Sequence, residues 1–465
     1  KMVDKVKVTE RQSSLEELRE VNDDLRLPSV PERVSFPIDV VTPEARTQTP
    51  AVGQRASRPD GRMHGLGQTK YIDDMSFPGM IYAKIKRAGV AKARIKRIDL
   101  SEAEKMPGVM ATLIGSEIPV NSFGPSYQDQ PIIADKLIYH AGDPVAAVAA
   151  TTEQLAADAL EKIKIEYEEL EPIFDPIEAM KESAPEVHPG QGNIYSSKII
   201  QKGDVDKGFK DSYKTYENTF STQMVEHVPM EPHASIAEWD ANGRVIIHSS
   251  LGRITLGRAD IARTLDMPIN RIRVVATVGG GNFGGKNEIT TEPILALLSR
   301  KTGRPVKGIY TREDEFMSST TRHPFIMDYK TGVSDEGKII ARKVRLVCDG
   351  GAYCSWSETT LGKACILSAG PYNIENLYVE AYAVYTNKTM TGAMRGFGAP
   401  QVCFAYESHM DDIARDLDID PLEIRRINAF HEGSASPTGQ VLQSVVVKDS
   451  LDVAADRFGW EEWQK

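Results

Sequence analysis

Three stretches follow one another without a break: Arg271-Ile-Arg-Val-Val-Ala-Thr-Val278, Gly279-Gly-Gly-Asn-Phe-Gly-Gly-Lys286, and Thr290-Thr-Glu-Pro-Ile-Leu-Ala-Leu-Leu-Ser-Arg300 a few residues on. The first is short, β-branched and apolar, and predicts a strand over 272–278. The last is a long apolar run closed by Gly303, and predicts a helix over 290–300. Between them lies the densest glycine cluster of the chain. Glycine lets backbone approach a ligand closely and adopt positive φ, and successive loop amides can converge on an anion or an oxo group.

Two common nucleotide motifs fit this loop on paper. Gly279-x-Gly281-x-x-Gly284 has the dinucleotide spacing, but the acidic partner about 20 residues on is missing. Glu313 and Asp314 come too late. Gly280-x4-Gly285-Lys286 approaches a P-loop, yet Asn287 stands where Ser or Thr must hold magnesium.

Working outward, alternating and short apolar runs predict strands at 80–87, 144–150, 163–167, 235–239, 245–248, 306–310 and 339–347. Helices are predicted at 151–160 with Thr152 as N-cap, at 256–265, 401–417 and 450–458, and from Pro421 in a favoured first-turn position. The organisation read from this is mixed α/β (α+β): an arm over 1–51, a compact α/β domain over 52–178, a linker over 179–197, and a larger domain over 198–465. Within the arm, Ser13–Leu25 has one apolar face and 28–50 is rich in proline, so the arm either lies on the surface or wraps a partner.

The chain has 465 residues, 41% hydrophobic and 26% charged, with a net charge of −10. An acidic chain of ordinary globular composition does not imply a large basic surface and argues against nucleic acid. Cys348, Cys354, Cys365 and Cys403 form no CxxC pair, so zinc and iron–sulfur sites are not expected and a reducing compartment is. No run approaches the roughly 18 apolar residues of a membrane span. No signal-peptide pattern is evident at the start, and the expected location is the cytoplasm.

The glycine loop has distinctive company: Met230-Glu-Pro-His-Ala-Ser-Ile-Ala237, Arg322-His-Pro-Phe325, Asp349-Gly-Gly-Ala-Tyr353, Gly370-Pro-Tyr372 and Arg395-Gly-Phe-Gly-Ala-Pro-Gln401. In this order they resemble the molybdopterin-binding part of the xanthine dehydrogenase and aldehyde oxidase family. Phe77-Pro-Gly-Met-Ile-Tyr-Ala83, Pro107-Gly-Val109, Gly142-Asp-Pro-Val-Ala146 and Ile165-Glu-Tyr-Glu-Glu-Leu170 resemble that family's hammerhead domain. The resemblance covers about 52–465. It implies a hammerhead domain followed by the first molybdopterin-binding domain, and a molybdenum (or tungsten) cofactor held through its pterin with no side chain ligating the metal.

Residue by residue, the resemblance puts Gly252, Gly280, Gly281, Asn282, Phe283, Gly284 and Arg395 at the cofactor, and Asn287, Lys363 and Phe397 at the substrate. Phe397 would stack on an aromatic ring; the competing reading is a core phenylalanine in a tight turn. Gly252 stands where the family usually has a glutamine, and Asn282 replaces a loop glycine, an exchange asparagine's tolerance of left-handed backbone would ease. Asn287 and Lys363 replace a glutamate and an arginine of xanthine-specific members, which disfavours a purine. Lys363 suits a carboxylate or phenolate, or is a solvated surface lysine.

The general base of the family lies in a Gly-x-Gly-Glu segment that is not found here, so no catalytic residue is expected in this chain. The expected partners are a second molybdopterin-domain subunit that supplies the base, an iron–sulfur subunit and an FAD subunit, with a small aromatic or aldehyde substrate. The chain resembles the large subunit of a split hydroxylase. An aromatic thioester reductase of the same design and a diverged, non-catalytic subunit remain as alternatives.

Overall fold

The computed structural model describes residues 58–463, so the predicted helix at 13–25 and the proline-rich arm lie outside the described residues. The described residues fall into two units, 58–68 and 69–463. Of the first, a single short helix is described, α1 (Gly61–Gly65).

The second unit is built on three sheets. Its strands are β1 (Ile81–Arg87), β2 (Ala93–Asp99), β3 (Val109–Leu113), β4 (Leu137–Ile138), β5 (Pro144–Ala150), β6 (Lys164–Glu169), β7 (Ile194–Lys202), β8 (Lys214–Ser221), β9 (Ala234–Trp239), β10 (Val245–Ser249), β11 (Ile272–Ala276), β12 (Val306–Ile309), β13 (Phe325–Val333), β14 (Ile339–Gly351) and β15 (Asn376–Tyr385). The longer helices are α2 (Glu153–Leu160), α3 (Ile254–Thr264), α4 (Glu292–Thr302), α5 (Arg312–Ser318), α6 (Ser357–Leu367), α7 (Ala399–Leu417), α8 (Pro421–Asn428) and α9 (Val447–Phe458). Thr152 caps α2 as expected, its side chain accepting from Leu155 N.

A seven-stranded sheet runs β11-β10-β9-β12-β1-β5-β3. It joins strands from the early part of the chain to strands from beyond residue 230, through parallel pairing of β1 with β12 (Ile81 opposite Val306). The five-stranded sheet, β7-β15-β14-β13-β8, comes wholly from the later part, and β4-β2-β6 from the earlier. The segment between the two parts is bound down: Val187 N donates to Asn193 Oδ1, Asn193 Nδ2 donates to Ala179 O, and buried His188 bonds Ala352 O.

Burial explains the local sequence. Every residue of β5 after Pro144 is buried, as expected of a strand between two neighbours with both faces covered. Helix α4 is buried from Glu292 to Ser299. It lies so close to β12 that a Cβ on Gly308 would stand 2.9 Å from Leu295 Cδ2. Gly308→Val should therefore overpack this contact and destabilise the fold by about 1–3 kcal/mol. A lowered urea midpoint with cofactor or without it is the expected result; an unchanged midpoint would mean that α4 has slack against the sheet.

Candidate functional site

The loop between β11 and α4 is held from below by the Glu231–Pro–His233 segment that precedes β9. Glu231 Oε2 accepts from Gly280 N (2.8 Å) and from Lys286 Nζ (2.9 Å). Lys286 is 1% exposed, so its charge is buried with its partner. This lysine ties the loop's end to its start and does not face a ligand in the P-loop manner.

His233 holds the same loop by its other end. Its Nδ1 faces the Glu315 carboxylate on α5, and its Nε2 bonds Gly285 O at 3.1 Å. Burial works against charge on His233, but Glu315 overrides it and raises the pKa; burial likewise opposes ionisation of Glu315, and His233 overrides that. The pair is an imidazolium and a carboxylate, with both ring nitrogens donating. His227 adds a bond to Ala393 O (2.8 Å), beneath the second loop of the site.

Within this frame the glycines are needed for space. A Cβ on Gly280 would stand 2.6 Å from Glu231 Cβ, and one on Gly284 would stand 2.4 Å from Ala393 O. Gly281 and Gly284 have φ of 115° and 109°. Phe283 between them has φ 52° and is 48% exposed. A bulky residue with positive φ costs about 1–3 kcal/mol and persists only where the surroundings impose it. The expectation for Asn282 is corrected here: positive φ falls on its neighbours, and Asn282 is not among the residues that adopt it.

The second loop repeats the design. Phe397 has φ 56° between Gly396 (99°) and Gly398 (91°), and is half-buried. The two loops are joined directly, Arg395 N donating to Phe283 O at 2.8 Å, while Arg322 Nη2 donates to Arg395 O at 2.9 Å. The Arg395 side chain is exposed.

Gly252 also belongs to this place. Its N donates to Lys286 O (2.6 Å), and a Cβ on it would stand 1.9 Å from Asn282 Nδ2 and 3.1 Å from Asn287 Oδ1. Asn282 is pinned there because its Oδ1 accepts from Gly284 N at 2.7 Å. The missing side chain at 252 and the added one at 282 are thus complementary: the carboxamide of Asn282 fills the room that residue 252 leaves. Lys363 is exposed on α6, two turns beyond Trp356, and its neighbour Ala364 packs at Gly398.

Sequence reasoning missed four contributors. Glu231 and His233 anchor the loop, and both sit in the quoted Met-Glu-Pro-His motif, where charge beside a proline turn is the only visible signal. Arg253 stacks on Trp356 (4.4 Å to the ring centroid), and Trp356 lies 6.3 Å from the Phe397 ring. Among the described residues, no group of three or more His, Cys, Asp or Glu is placed to hold a metal ion, and no helix is long and apolar enough to cross a membrane. Cys348, Cys354 and Cys365 are buried and Cys403 is exposed, all as free thiols.

The mixed α/β frame and this double glycine loop define the class, and comparison agrees: the molybdopterin cofactor-binding domain matches residues 187–429, and the aldehyde oxidase and xanthine dehydrogenase a/b hammerhead domain matches 66–171. The chain belongs to the xanthine dehydrogenase and aldehyde oxidase family of molybdopterin oxidoreductases. Among individual proteins it is 38% identical to the nicotinate dehydrogenase large molybdopterin subunit of Eubacterium barkeri, over 87% of this chain and 96% of that one. It is 34% identical to the xanthine dehydrogenase molybdenum-binding subunit of Escherichia coli O157:H7, over 85% of this chain and 54% of that one. The solved aldehyde oxidoreductase from Desulfovibrio gigas superposes with a TM-score of 0.84 at 30% identity, covering 88% of this chain and 46% of that one. The chain therefore spans nearly all of the first relative but about half the length of the other two.

The residues present fit such a cofactor. Glycines at 280, 281 and 284 leave those three positions of the loop without side chains, and Glu231 Oε1, Arg322 Nη1 and Gln401 Oε1 are buried around the two loops without a hydrogen-bond partner among the described residues. One further group bears on stability. Glu288 is buried, with one oxygen held by Ser355 Oγ, and burial raises its pKa to about 7 despite that hydrogen bond. An acid whose pKa is raised on folding stabilises the fold below its unfolded value, near 4.5, and loses that contribution as pH rises through the folded value. Stability should therefore fall by about 3 kcal/mol between roughly pH 5 and pH 7.5 on this account. Glu288→Gln should flatten that part of the pH–stability curve; an equally steep curve in the variant would assign the decline to another group.

Proposed function

We propose that this chain is the cofactor-binding large subunit of a molybdenum hydroxylase divided between chains, acting in the cytoplasm on an aromatic heterocycle or an aldehyde. Oxygen from water is added at carbon, and the general base comes from a partner subunit carrying the second molybdopterin domain. When bound, the molybdenum (or tungsten) cofactor supplies the two-electron redox chemistry. Electrons leave through iron–sulfur and flavin groups on further partner chains.

This chain's own part is to hold and orient. The loop of Gly280, Gly281, Asn282, Phe283 and Gly284 faces the cofactor, with the Phe283 ring at its surface, Gly252 beside it and Arg395 at its edge. Phe397 orients an aromatic substrate by ring contact, with Asn287 as a further substrate position, while Lys363, exposed on α6, is the solvated surface lysine. The observation that carries the reading is the pair of phenylalanines, Phe283 and Phe397, each at positive φ with a glycine after it, and their loops tied together through Arg395 N. Strain of this kind, imposed on two aromatic residues and shared by adjoining loops, is a mark of function.

The test is the metal and pterin content of the complex purified from its native host, with its co-purifying chains identified. Roughly one molybdenum or tungsten per copy, together with a second cofactor-domain chain, is the expected result; an intact complex free of both metal and pterin would falsify the proposal. A second check uses Phe283→Gly. Glycine relieves the strained φ and an exposed ring is lost, so stability should change by less than about 1 kcal/mol, while the loaded fraction or turnover falls at least about tenfold. A large loss of stability instead would make Phe283 a core residue.

A further inference from the structure

Resting on that reading, the structure assigns to Arg253 the recognition of an anionic oxygen substituent, a carboxylate, on the aromatic substrate. Arg253 is the residue before α3 and follows Gly252, which faces Asn282 and Asn287. Its guanidinium lies over the Trp356 ring, and Trp356 in turn borders Phe397. A continuous wall thus runs from the glycine loop to the ring-stacking phenylalanine, and Arg253 is the cation in it.

Three properties make this guanidinium a receptor. Among the described residues it forms no ion pair and no side-chain hydrogen bond, although it is half-buried. A partly desolvated charge without a partner is unfavourable unless something supplies the counter-charge. The contact with the Trp356 ring engages the guanidinium's charge and takes up no N–H···O bond, so its donors stay available to a planar two-oxygen acceptor. Beside it, Trp356 Nε1 is a buried donor without a partner among the described residues, which an acceptor oxygen would satisfy. Lys363 shares none of this: it is exposed, and water serves its ammonium.

The experiment uses the loaded complex and two unreactive probes of equal shape, benzoate and benzamide, with binding measured by calorimetry and pterin content measured in parallel. The wild type should prefer benzoate. Arg253→Ala should weaken benzoate at least about tenfold and leave benzamide within about twofold, with pterin content unchanged. Arg253→Lys should keep part of the preference, since it keeps charge but not the planar fork. Lys363→Ala should leave the ratio of the two affinities as it was. Equal weakening of both probes, no change in the ratio, or a ratio that follows Lys363 instead would overturn the assignment. So would pterin lost from Arg253→Ala, because the anion at Arg253 would then be the cofactor's phosphate. A wild-type complex without pterin or metal overturns the function itself; a loaded complex whose probe ratio ignores Arg253 overturns only this residue's role.

Discussion

The buried pair of Glu231 and Lys286 is the interaction on which the site rests. Lysine is among the costliest side chains to bury, and its charge is tolerated at 1% exposure only because Glu231 stands 2.9 Å away. The same carboxylate oxygen takes Gly280 N, so one atom fixes the first and last turns of the glycine loop at once. Removing either partner would strand a buried charge, at a cost of about 3–5 kcal/mol. His233 repeats the arrangement one strand-start away, by clamping Gly285 O and Glu315 together. Two buried ion pairs beneath one loop give a rigid floor under an exposed Phe283.

Rigidity is what the two phenylalanines require. Neither Phe283 nor Phe397 would choose positive φ in a flexible loop. Each is held there beside glycines whose neighbours leave no room for a Cβ (Gly284 after Phe283, Gly396 and Gly398 around Phe397), and a backbone bond from Arg395 N to Phe283 O braces the loops against each other. Asn282 adds a brace of its own by accepting from Gly284 N, and the absence of a side chain at Gly252 makes room for it.

Much of this was legible in the residues, for identifiable reasons. Strand β5 and helix α7 were visible because their patterns are continuous: seven small apolar residues in the one, and nineteen residues with a proline in the first turn of the other. Strands β8 and β15 were not, since they alternate apolar with charged or polar residues in a register that only pairing reveals. The glycine loop and its phenylalanine stood out by composition. Arg253 and Trp356 did not, because they are 103 positions apart and the contact between them is a stack with no spacing to betray it. Lys286 was visible and Asn287 already spoke against a phosphate ligand there, but the buried carboxylate that the lysine pairs with had no signal in the spacing.

The joining of β1 to β12 has a consequence for how such a chain can be divided by evolution. Backbone hydrogen bonds, and not merely side-chain packing, stitch the early part of the molecule to the late part. A gene broken near residue 180 would yield two products with raw strand edges that must find each other before either is shielded from aggregation. The hammerhead part and the cofactor-binding part are therefore expected to be inherited as one piece.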